Sequence, residues 1–415
     1  MRLTELNGKT ICLLGFGREG QATLKIIEEH APDAEVTIAD ANADLVIEGK
    51  KHWQQLGNGW LKNLEKFDVI IASPGIPPQK EIDAVADRVT SATQIFLEEV
   101  TARGGMVIGI TGSKGKSTTT SLIAAALKEG KRDVILAGNI GTPALTELSK
   151  IKKGTIVALE MSSFQLRLLT LSPHIAVITS FFPEHLDYHG TVDDYWNAKA
   201  NIAQFQKKDD AVIFNTGSPD ASKMAMRSPG EIADTKLIGE HNRENLALAY
   251  AAAMFVGVER EACVQAFKNF EPLPHRLQSL GVHHGVEWVD DAISTTPEST
   301  IAALRALGDK VKTLILGGQD RGLEFDELAK EIVEHSKVET IIIFPGSGPR
   351  MREAIEKQNS KISFADASTM QDAVTIAKEK TPKGTICLLS TASPSYNMFK
   401  NFEEKGDAFA QAIKK

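Results

Sequence analysis

Short runs of apolar residues alternate along the chain with longer segments in which apolar residues recur every three or four positions. The short runs are typical of strands buried on both faces of a parallel sheet, and the longer segments are typical of amphipathic helices. Strands are predicted for TICLLG at 10–15, VTIAD at 36–40, MVIGITG at 106–112, IAVITS at 175–180 and VKTLILGG at 311–318. This alternation predicts an α/β protein with parallel sheets.

Two breaks divide the pattern into three segments. ARGG at 102–105 interrupts it first, and PLPHR at 272–276, with two prolines, has the composition of a linker. We therefore predict three consecutive α/β domains, at 1–102, 103–272 and 273–415. Strands of the last segment run into loops rich in glycine or serine, where open α/β sheets bind ligands. This predicts a C-terminal Rossmann-like domain.

The composition mainly excludes certain classes of function. A hydrophobic content of 42% and a charged content of 24% are those of an ordinary soluble protein. The net charge of −7 provides no overall positive field for nucleic acid or anionic lipid. The three cysteines, Cys12, Cys263 and Cys387, are too scattered for a zinc motif or a disulfide framework. No signal peptide or membrane-spanning run is recognisable. We expect a cytoplasmic monomer that acts on small molecules, not on nucleic acid or membranes.

A glycine pattern, Gly15-x-Gly17-x-x-Gly20, joins the first predicted strand to a helix, and Asp40 ends the next strand. Such a turn presents backbone N–H groups and a helix N-terminus to a pyrophosphate, which predicts an N-terminal Rossmann-like domain. A nicotinamide cofactor or a nucleotide-sugar diphosphate would suit this anion site, and the glycines could also serve only to pack the turn. The SPGIP loop at 73–77 could line the same crevice or be a simple turn.

A second glycine loop, GITGSKGKSTT at 109–119, departs from the strict phosphate-loop pattern because Ile110 stands where that pattern requires glycine. The Lys116–Ser117 pair that meets phosphates and Mg²⁺ is present, between a predicted strand and a predicted helix. This context favours a variant phosphate loop over a basic turn with accidental glycines. The sequence thus predicts a central P-loop ATPase-like domain.

Acidic and histidine side chains follow two further strands of this domain. Glu160 ends one strand and could be an oxygen ligand for Mg²⁺ or a cap for the next helix. Glu184, His185, Asp187 and His189 follow another strand and could form a second metal site or a solvated polar loop. Composition alone does not choose between these possibilities.

Together these stretches resemble the Mur ligase family. The similar segments, in the family's order over about the last three-quarters of the chain, are TGSKGKST, LEMSSFQL, FFPEHLDYHGTVDDYWNAKANI, GEHNRENLALA, LPHRLQ and FKNFEEKGDAF. The first quarter, with GFGREG, TIAD and SPGIP, resembles the uridine-nucleotide domain of the family member that adds glutamate. The short-spaced phosphate loop is the variant found in this family, which accounts for Ile110.

The resemblance implies an ATP-dependent ligase. ATP would phosphorylate the terminal carboxylate of UDP-N-acetylmuramoyl-L-alanine, and the amino group of glutamate would attack the acyl phosphate. A phosphorylated carboxylate has a good leaving group, so the protein's main task would be electrostatic stabilisation. The reaction belongs to peptidoglycan precursor synthesis, with D-glutamate as the favoured amino acid.

The resemblance also implies the roles of individual residues. The ATP set is Gly112, Ser113, Lys114, Gly115, Lys116, Ser117, Thr118, Asn242, Asn245 and Arg276. The UDP-sugar set is Gly15, Gly17, Arg18, Asp40, Ser73, Gly75 and Asn139. The glutamate set is Thr295, Arg321, Ser395 and Phe402. The metal set, for about two Mg²⁺ ions, is Ser117, Glu160, His185 and Lys199, the last as a carbamate formed with CO₂. The catalytic set is Lys116, Lys199, His185 and Asp291.

For three of these residues the sequence by itself also allows a plainer role. Without the resemblance, Lys199 would pass for a surface lysine on a helix. Asn242 and Asn245, implied to face the adenine, could instead cap the helix that begins in HNREN. The family roles of these residues are therefore expectations.

The third domain departs from the family at one motif. A stretch that usually resembles NDSKATN is DDAISTT here, so Ile293 replaces the family lysine. Arg321 stands where the D-glutamate enzyme has lysine, and its guanidinium could pair bidentately with a carboxylate. Similar STTPEST segments occur in a rarer branch that adds L-glutamate, which is the alternative to D-glutamate.

Other functions remain possible on the sequence. A folylpolyglutamate synthase shares the ATP loop but would lack the leading glycine-motif domain. A nicotinamide oxidoreductase would use Gly15–Gly20 but leave Lys116 and Ser117 without a purpose. A nucleotide-binding switch without ligase activity is the non-enzymatic alternative.

Overall fold

Three sheets organise the part of the chain that the structure describes. The computed structural model describes residues 1–47, 52–139, 142–214, 235–358 and 361–415. The three sheets have five, five and six strands. Internal contacts divide the chain into two compact units: a first unit of Met1–Asp234 and Glu244–Asn269, and a second unit of Thr235–Arg243 and Phe270–Lys415. The first unit contains the first two sheets, and the second unit contains the third.

The first sheet is parallel throughout, with strand order β3-β2-β1-β4-β5. Its strands are β1 (Thr10–Leu14), β2 (Glu35–Asp40), β3 (Trp53–Leu56), β4 (Val69–Ala72) and β5 (Val89–Thr90), and its helices are α1 (Arg18–His30), α2 (Lys80–Asp83) and α3 (Ala92–Ala102). β2 and β3 lie on one side of β1, and β4 and β5 lie on the other, so the strand order reverses at β1 and creates a crevice at the carboxyl ends of β1 and β4. The first two predicted strands are confirmed.

The second sheet is also parallel, with strand order β10-β9-β6-β8-β7. Its strands are β6 (Met106–Thr111), β7 (Val134–Gly138), β8 (Ile156–Glu160), β9 (Ile175–Ile178) and β10 (Ala211–Phe214). The helices that accompany it are α4 (Lys116–Glu129), α5 (Ser163–Leu166), α6 (Leu186–His189), α7 (Val192–Gln204), α8 (Glu240–Phe255) and α9 (Arg260–Asn269). The phosphate-like loop therefore connects the central strand β6 to α4, as the sequence predicts.

The third sheet is parallel except at one edge, with strand order β11-β12-β16-β13-β14-β15. Its strands are β11 (Gln278–His283), β12 (Val286–Asp290), β13 (Val311–Gly318), β14 (Thr340–Gly346), β15 (Ser363–Asp366) and β16 (Ile386–Leu389). Its helices are α10 (Pro297–Leu307), α11 (Asp326–Lys330), which continues as a π-helical turn over Glu331–His335, α12 (Gly348–Glu356), α13 (Met370–Lys380) and α14 (Phe402–Lys414). β11 and β12 form an antiparallel hairpin whose turn residues, His284 and Gly285, have φ of 55° and 83°.

One apolar core spans both sheets of the first unit. It includes Leu13 and Ile27 from the first sheet layer, Phe96 from α3, and Val157 and Leu159 from β8. Because α3 packs into this core as well as leading into β6, the first two sheets cluster as a single unit. The sheets match the three predicted domains in number, while the boundaries at 102 and 272 stay predictions. No described helix has the length and apolar character needed to cross a membrane.

The turn between β1 and α1 depends on a close approach of two glycines. Gly15 has a φ of +87°, a backbone conformation that residues with a side chain rarely adopt. A Cβ at Gly20 would lie 2.3 Å from the carbonyl oxygen of Gly15. Nothing lies within 4 Å of the corresponding position at Gly17, whose φ is −71°. The first and third glycines of the motif are thus structural requirements of the turn.

Substitution of Gly20 tests this account of the turn. Gly20→Ala should lower the apparent melting temperature by several degrees, because the new methyl group must displace the backbone of residue 15. The matched variant Gly17→Ala should melt almost as the wild type does. Thermal unfolding followed by circular dichroism measures both. Equal melting temperatures for the two variants would contradict the close approach.

Candidate active site

A cavity of about 400 Å³ lies at the carboxyl ends of β1 and β4. Six of the seven residues predicted to hold the UDP-sugar line it: Gly15, Gly17, Arg18, Ser73, Gly75 and Asn139. Ser73 Oγ donates a hydrogen bond to the Gly15 carbonyl at 2.8 Å, so the SPGIP loop and the glycine turn form one wall. The structure thus brings these six residues together around one cavity, while their contact with a UDP-sugar stays a prediction.

Asp40 is the seventh of these residues, and it lies behind the turn instead of lining the cavity. Its Oδ2 accepts a hydrogen bond from the backbone N–H of Phe16 at 2.7 Å, and its Oδ1 accepts one from Asn42 N–H at 2.8 Å. These bonds fix the backbone of the glycine turn. The structure thus gives Asp40 a role in shaping the turn, while its predicted contact with a ligand stays a prediction.

Four lining residues are not among those that the sequence predicts: Glu19, Ser162, Phe164 and Gln165. Glu19 is the second residue of α1, and burial raises its pKa to about 7, while a hydrogen bond from Gln165 opposes that rise. Phe164 and Gln165 come from α5, which follows Glu160 in the second sheet layer. Their position depends on how the two layers of the first unit pack, and no local pattern in the sequence signals it.

The phosphate loop begins later than the strict pattern assumes. Ile110 is fully buried inside β6, where it pairs with Glu160 on one side and Val177 on the other. The loop proper starts at Gly112, whose φ is +147° and whose added Cβ would lie 2.0 Å from Thr179 Oγ1. A glycine at 110 has no conformational purpose because that position belongs to the strand. This is the physical reason for the short spacing.

The lysines of the loop are held by defined partners. Lys116 Nζ donates to the carbonyl oxygens of Gly112 at 2.9 Å and Ser113 at 3.0 Å, which keeps its positive charge against the loop. Lys114 pairs with Glu184 at 2.6 Å. The N-terminus of α4, beginning at Lys116, adds its dipole to this charge. The arrangement places the Lys116 ammonium and a helix N-terminus side by side, which suits an anion.

Lys199 is the residue for which the plainer interpretation is wrong. It is not a surface lysine, because it lies on the buried face of α7 and is only 2% exposed. Its Nζ donates to the carbonyl oxygen of Gly112 at 2.9 Å and lies 4.6 Å from the centre of the Tyr195 ring. Burial, together with the nearby charge of Lys116, lowers the pKa of Lys199 well below its usual value. A buried amine thus lies directly beneath the phosphate loop.

The sequence did contain a signal for this burial. The buried residues of α7 are Tyr195, Ala198, Lys199 and Ile202, which recur at the i, i+3, i+4, i+7 spacing of one helical face. A lysine at such a position is placed on the apolar face by the helical period. The period therefore predicts burial more reliably than the residue type does.

Glu160 has the features expected of a cation ligand. It ends β8 and is 2% exposed; its Oε1 accepts a hydrogen bond from Asn139 Nδ2 at 3.0 Å. Its Oε2 is buried and has no hydrogen-bond partner among the described residues. Leaving a buried acceptor unpaired costs about 1–3 kcal/mol, which a cation at Oε2 would offset. Asn139 also lines the cavity, so this carboxylate lies next to it.

The FFPEHLDYHG segment combines packed and exposed side chains, and the choice between a second metal site and a solvated polar loop stays open. Glu184 is engaged by Lys114, and His189 is buried with its Nε2 3.0 Å from Ser163 Oγ. The Phe164 ring packs against the rings of His185, Tyr188 and His189. No group of three or more His, Cys, Asp or Glu side chains suited to a metal occurs in the described ranges. Within residues 184–189, His189 is thus buried among aromatic rings, while His185, Leu186 and Asp187 are exposed.

The two asparagines of α8 are placed differently from each other. Asn245 is buried, and its Oδ1 accepts a hydrogen bond from Thr119 Oγ1 at 3.2 Å. An added Cβ at Gly115 would lie 2.4 Å from the same oxygen, so Asn245 packs directly against the phosphate loop. Asn242 Nδ2 donates to the Ile238 carbonyl at 2.8 Å, a local bond at the start of the helix. Contact of either side chain with adenine stays a prediction.

In the second unit, Asp291 is buried, and its carboxylate links separate loops through hydrogen bonds. Its Oδ2 accepts hydrogen bonds from Ser294 Oγ at 2.5 Å and Ser390 Oγ at 2.8 Å, and its Oδ1 accepts one from Leu277 N–H. Burial raises the pKa of Asp291 to about 6, against the opposing effect of these bonds and of Arg276. The motif containing Ile293 is thus tied to the end of β16, and a direct catalytic role of Asp291 stays a prediction.

Three of the four residues predicted to hold glutamate follow neighbouring strands of the third sheet. Thr295 follows β12, Ser395 follows β16, and Arg321 follows β13, while Phe402 begins α14. Arg321 is exposed, with its guanidinium carbon 5.6 Å from the centre of the Tyr396 ring. Parallel strands present their carboxyl ends at one edge, so these three residues share that edge of the sheet.

Two family models match the chain. The Mur ligase middle domain matches residues 110–231, and the glutamate ligase domain of Mur ligases matches residues 275–392. A UDP-N-acetylmuramoyl-L-alanine--L-glutamate ligase of Salinispora tropica is 32% identical over 100% of this chain and 99% of that protein. The chain belongs to the Mur ligase family. This Mur ligase is also 33% identical, over 98% of its length, to 97% of a UDP-N-acetylmuramoylalanine--D-glutamate ligase of Streptococcus agalactiae.

Solved structures show the same fold. MurF from Acinetobacter baumannii superposes with a TM-score of 0.64 at 16% identity, over 100% of this Mur ligase and 93% of that chain. UDP-N-acetylmuramate-alanine ligase from Thermotoga maritima gives 0.59 at 14% identity, over 98% and 99% of the two chains. The predicted fold of three consecutive α/β domains is confirmed. Membership of this ligase family excludes the oxidoreductase and the non-enzymatic switch.

Proposed function

We propose that this Mur ligase joins glutamate to UDP-N-acetylmuramoyl-L-alanine at the expense of ATP, releasing ADP and phosphate, in peptidoglycan precursor synthesis. One observation carries the proposal: Asn139 both lines the 400 Å³ cavity and donates its amide hydrogen to Glu160. A substrate whose nucleotide lies on the glycine turn would thereby extend toward the candidate metal carboxylate and the phosphate loop. The names of the full-length relatives at 32% and 33% identity support the same substrates.

The proposed chemistry depends on the positive charges in the first unit. The γ-phosphoryl group of ATP would pass to the substrate carboxylate, and the amine of glutamate would then displace phosphate from the acyl phosphate. Lys116 and the N-terminus of α4 hold positive charge where anionic oxygens crowd together in both steps. The lysine acts mainly by position, since its Nζ is already fixed at 2.9 Å from the Gly112 carbonyl.

We propose magnesium sites at Ser117, Glu160 and His185, completed by a carbamate on Lys199. The donors are the hard oxygens that Mg²⁺ prefers, together with one imidazole. The bound ions would neutralise the phosphate oxygens during transfer. The unpaired Oε2 of Glu160 supports this assignment. Lys199 has the lowered pKa that provides a neutral amine, and such an amine adds CO₂ to give a carbamate and a proton.

The incoming amino acid we propose is D-glutamate, bound by Thr295, Arg321, Ser395 and Phe402 in the second unit. L-glutamate is the second candidate, and two observations favour it. Ile293 replaces the lysine of the D-glutamate enzymes, and the Salinispora relative, matched along its full length, is named for L-glutamate. We further propose that the enzyme works as a cytoplasmic monomer, in line with its free, buried cysteines.

Phosphate release tests the substrate and its stereochemistry. With UDP-N-acetylmuramoyl-L-alanine and ATP, the purified enzyme should release phosphate when D-glutamate is added, and mass spectrometry should find the glutamylated nucleotide. Release with L-glutamate alone would assign the enzyme to the second candidate. A control lacking the nucleotide substrate should release no phosphate. Absence of release with both enantiomers would disprove the proposed function.

Replacement of Lys199 tests the carbamate. Lys199→Ala should lose most of the ligase activity, and short carboxylic acids such as formate or acetate should restore part of it by supplying the missing carboxylate. Lys207→Ala, an exposed lysine just beyond α7, is the matched control and should retain wild-type activity. Full activity of Lys199→Ala would remove the carbamate from the mechanism.

A further inference from the structure

The second unit contains a buried cation to which no role has been assigned. Lys405 is fully buried, and within the described part of the chain only Lys199 shares this property among lysines and arginines. Its Nζ donates hydrogen bonds to Thr391 Oγ1 at 2.6 Å and to Ser395 Oγ at 2.9 Å. Both hydroxyls belong to the loop after β16, which carries one of the predicted glutamate ligands.

The helix that carries Lys405 approaches the sheet unusually closely. Phe402, Lys405, Gly406 and Phe409 recur at helical spacing on one face of α14. A Cβ at Gly406 would lie 2.0 Å from His275 Nδ1 and 2.6 Å from Asp290 Oδ2, two atoms that are themselves 2.7 Å apart. Glycine at 406 therefore allows the preceding lysine to reach beneath the loop.

The direction of each hydrogen bond, from donor to acceptor, determines where the hydroxyl protons point. An ammonium group only donates, so Thr391 Oγ1 and Ser395 Oγ must both accept. Thr391 still donates its own proton, to the Ser393 carbonyl at 2.9 Å or the Ser294 carbonyl at 3.2 Å. No described residue accepts the hydroxyl proton of Ser395. Lys405 thus leaves Ser395 with a proton available for an acceptor outside the protein.

The charge of Lys405 persists at neutral pH. Burial lowers its pKa to about 8, while attraction to Asp290 and Asp291 opposes the shift. The loop after β16 consequently has a positive charge beneath it. The neighbouring motif lacks the lysine that the family has, because position 293 is isoleucine. An anionic amino acid bound at this strand edge would therefore meet a cation supplied by α14.

We propose that Lys405 is a positioning residue for the incoming glutamate. It holds Ser395 Oγ as an acceptor, so that the serine O–H is directed to a carboxylate of glutamate, and it supports that carboxylate with positive charge from beneath the loop. The inference rests on the proposed function, since it assumes that Ser395 contacts glutamate. Lys405 itself acts through the serine and the loop.

Steady-state kinetics of two substitutions at position 405 tests the inference. Lys405→Met removes both the donor and the charge, and should raise the KM for glutamate about 10- to 100-fold. The kcat and the KM values for ATP and the UDP-sugar should change by less than about threefold, because this lysine touches neither ligand. Lys405→Gln keeps a donor without the charge and should give a smaller rise.

The matched control is Lys414→Met, an exposed lysine on the same helix, which should leave every constant unchanged. A glutamate KM within about twofold of the wild type in Lys405→Met would overturn the inference. So would an equal loss in all three KM values and kcat, or failure of both position-405 variants to fold, since each assigns the lysine to the fold alone. Failure of the wild type with both glutamate enantiomers is a separate result, and it disproves the proposed function.

Discussion

The hydrogen bond from Lys199 Nζ to the Gly112 carbonyl joins helix α7 to the phosphate loop, and the chemistry of the first unit depends on it. A lysine that is 2% exposed cannot keep an uncompensated positive charge next to Lys116 without a large desolvation cost. The fold therefore places an amine that is easily neutralised directly below the loop. Modification by CO₂ would convert this electrostatic cost into a ligand for magnesium, in addition to the unpaired Oε2 of Glu160.

The second unit uses a buried lysine in a different way. Lys405 keeps its charge because two hydroxyls accept its hydrogen bonds and Asp290 and Asp291 attract it. In both units the lysine comes from a helix and acts on a loop at the carboxyl end of a parallel strand. Parallel sheets gather such loops at one edge, so a helix packed on the sheet can orient a loop from behind.

The sequence predicted the features that depend on short, contiguous stretches of residues. The two glycine loops, their strands and most of the cavity lining follow from spacing and from the family resemblance. Other features depend on packing between distant segments. Phe164 reaches the cavity only because two sheet layers share a core, and Lys405 is buried only because Gly406 admits its helix. The hairpin turn at His284 was missed because its residues are not the usual Asn-Gly pair. The burial of Lys199 was readable from the helical period of α7, but its residue type argued against it.

The proposed conversion of the buried amine beneath the phosphate loop to a carbamate can be measured directly. The most direct measurement is ¹³C NMR of the enzyme equilibrated with ¹³C-labelled bicarbonate and magnesium, compared with Lys199→Ala under the same conditions. If Lys199 is carbamylated, the wild type should give one protein-bound carbamate resonance that is absent from the variant. Identical spectra for the two proteins would contradict it.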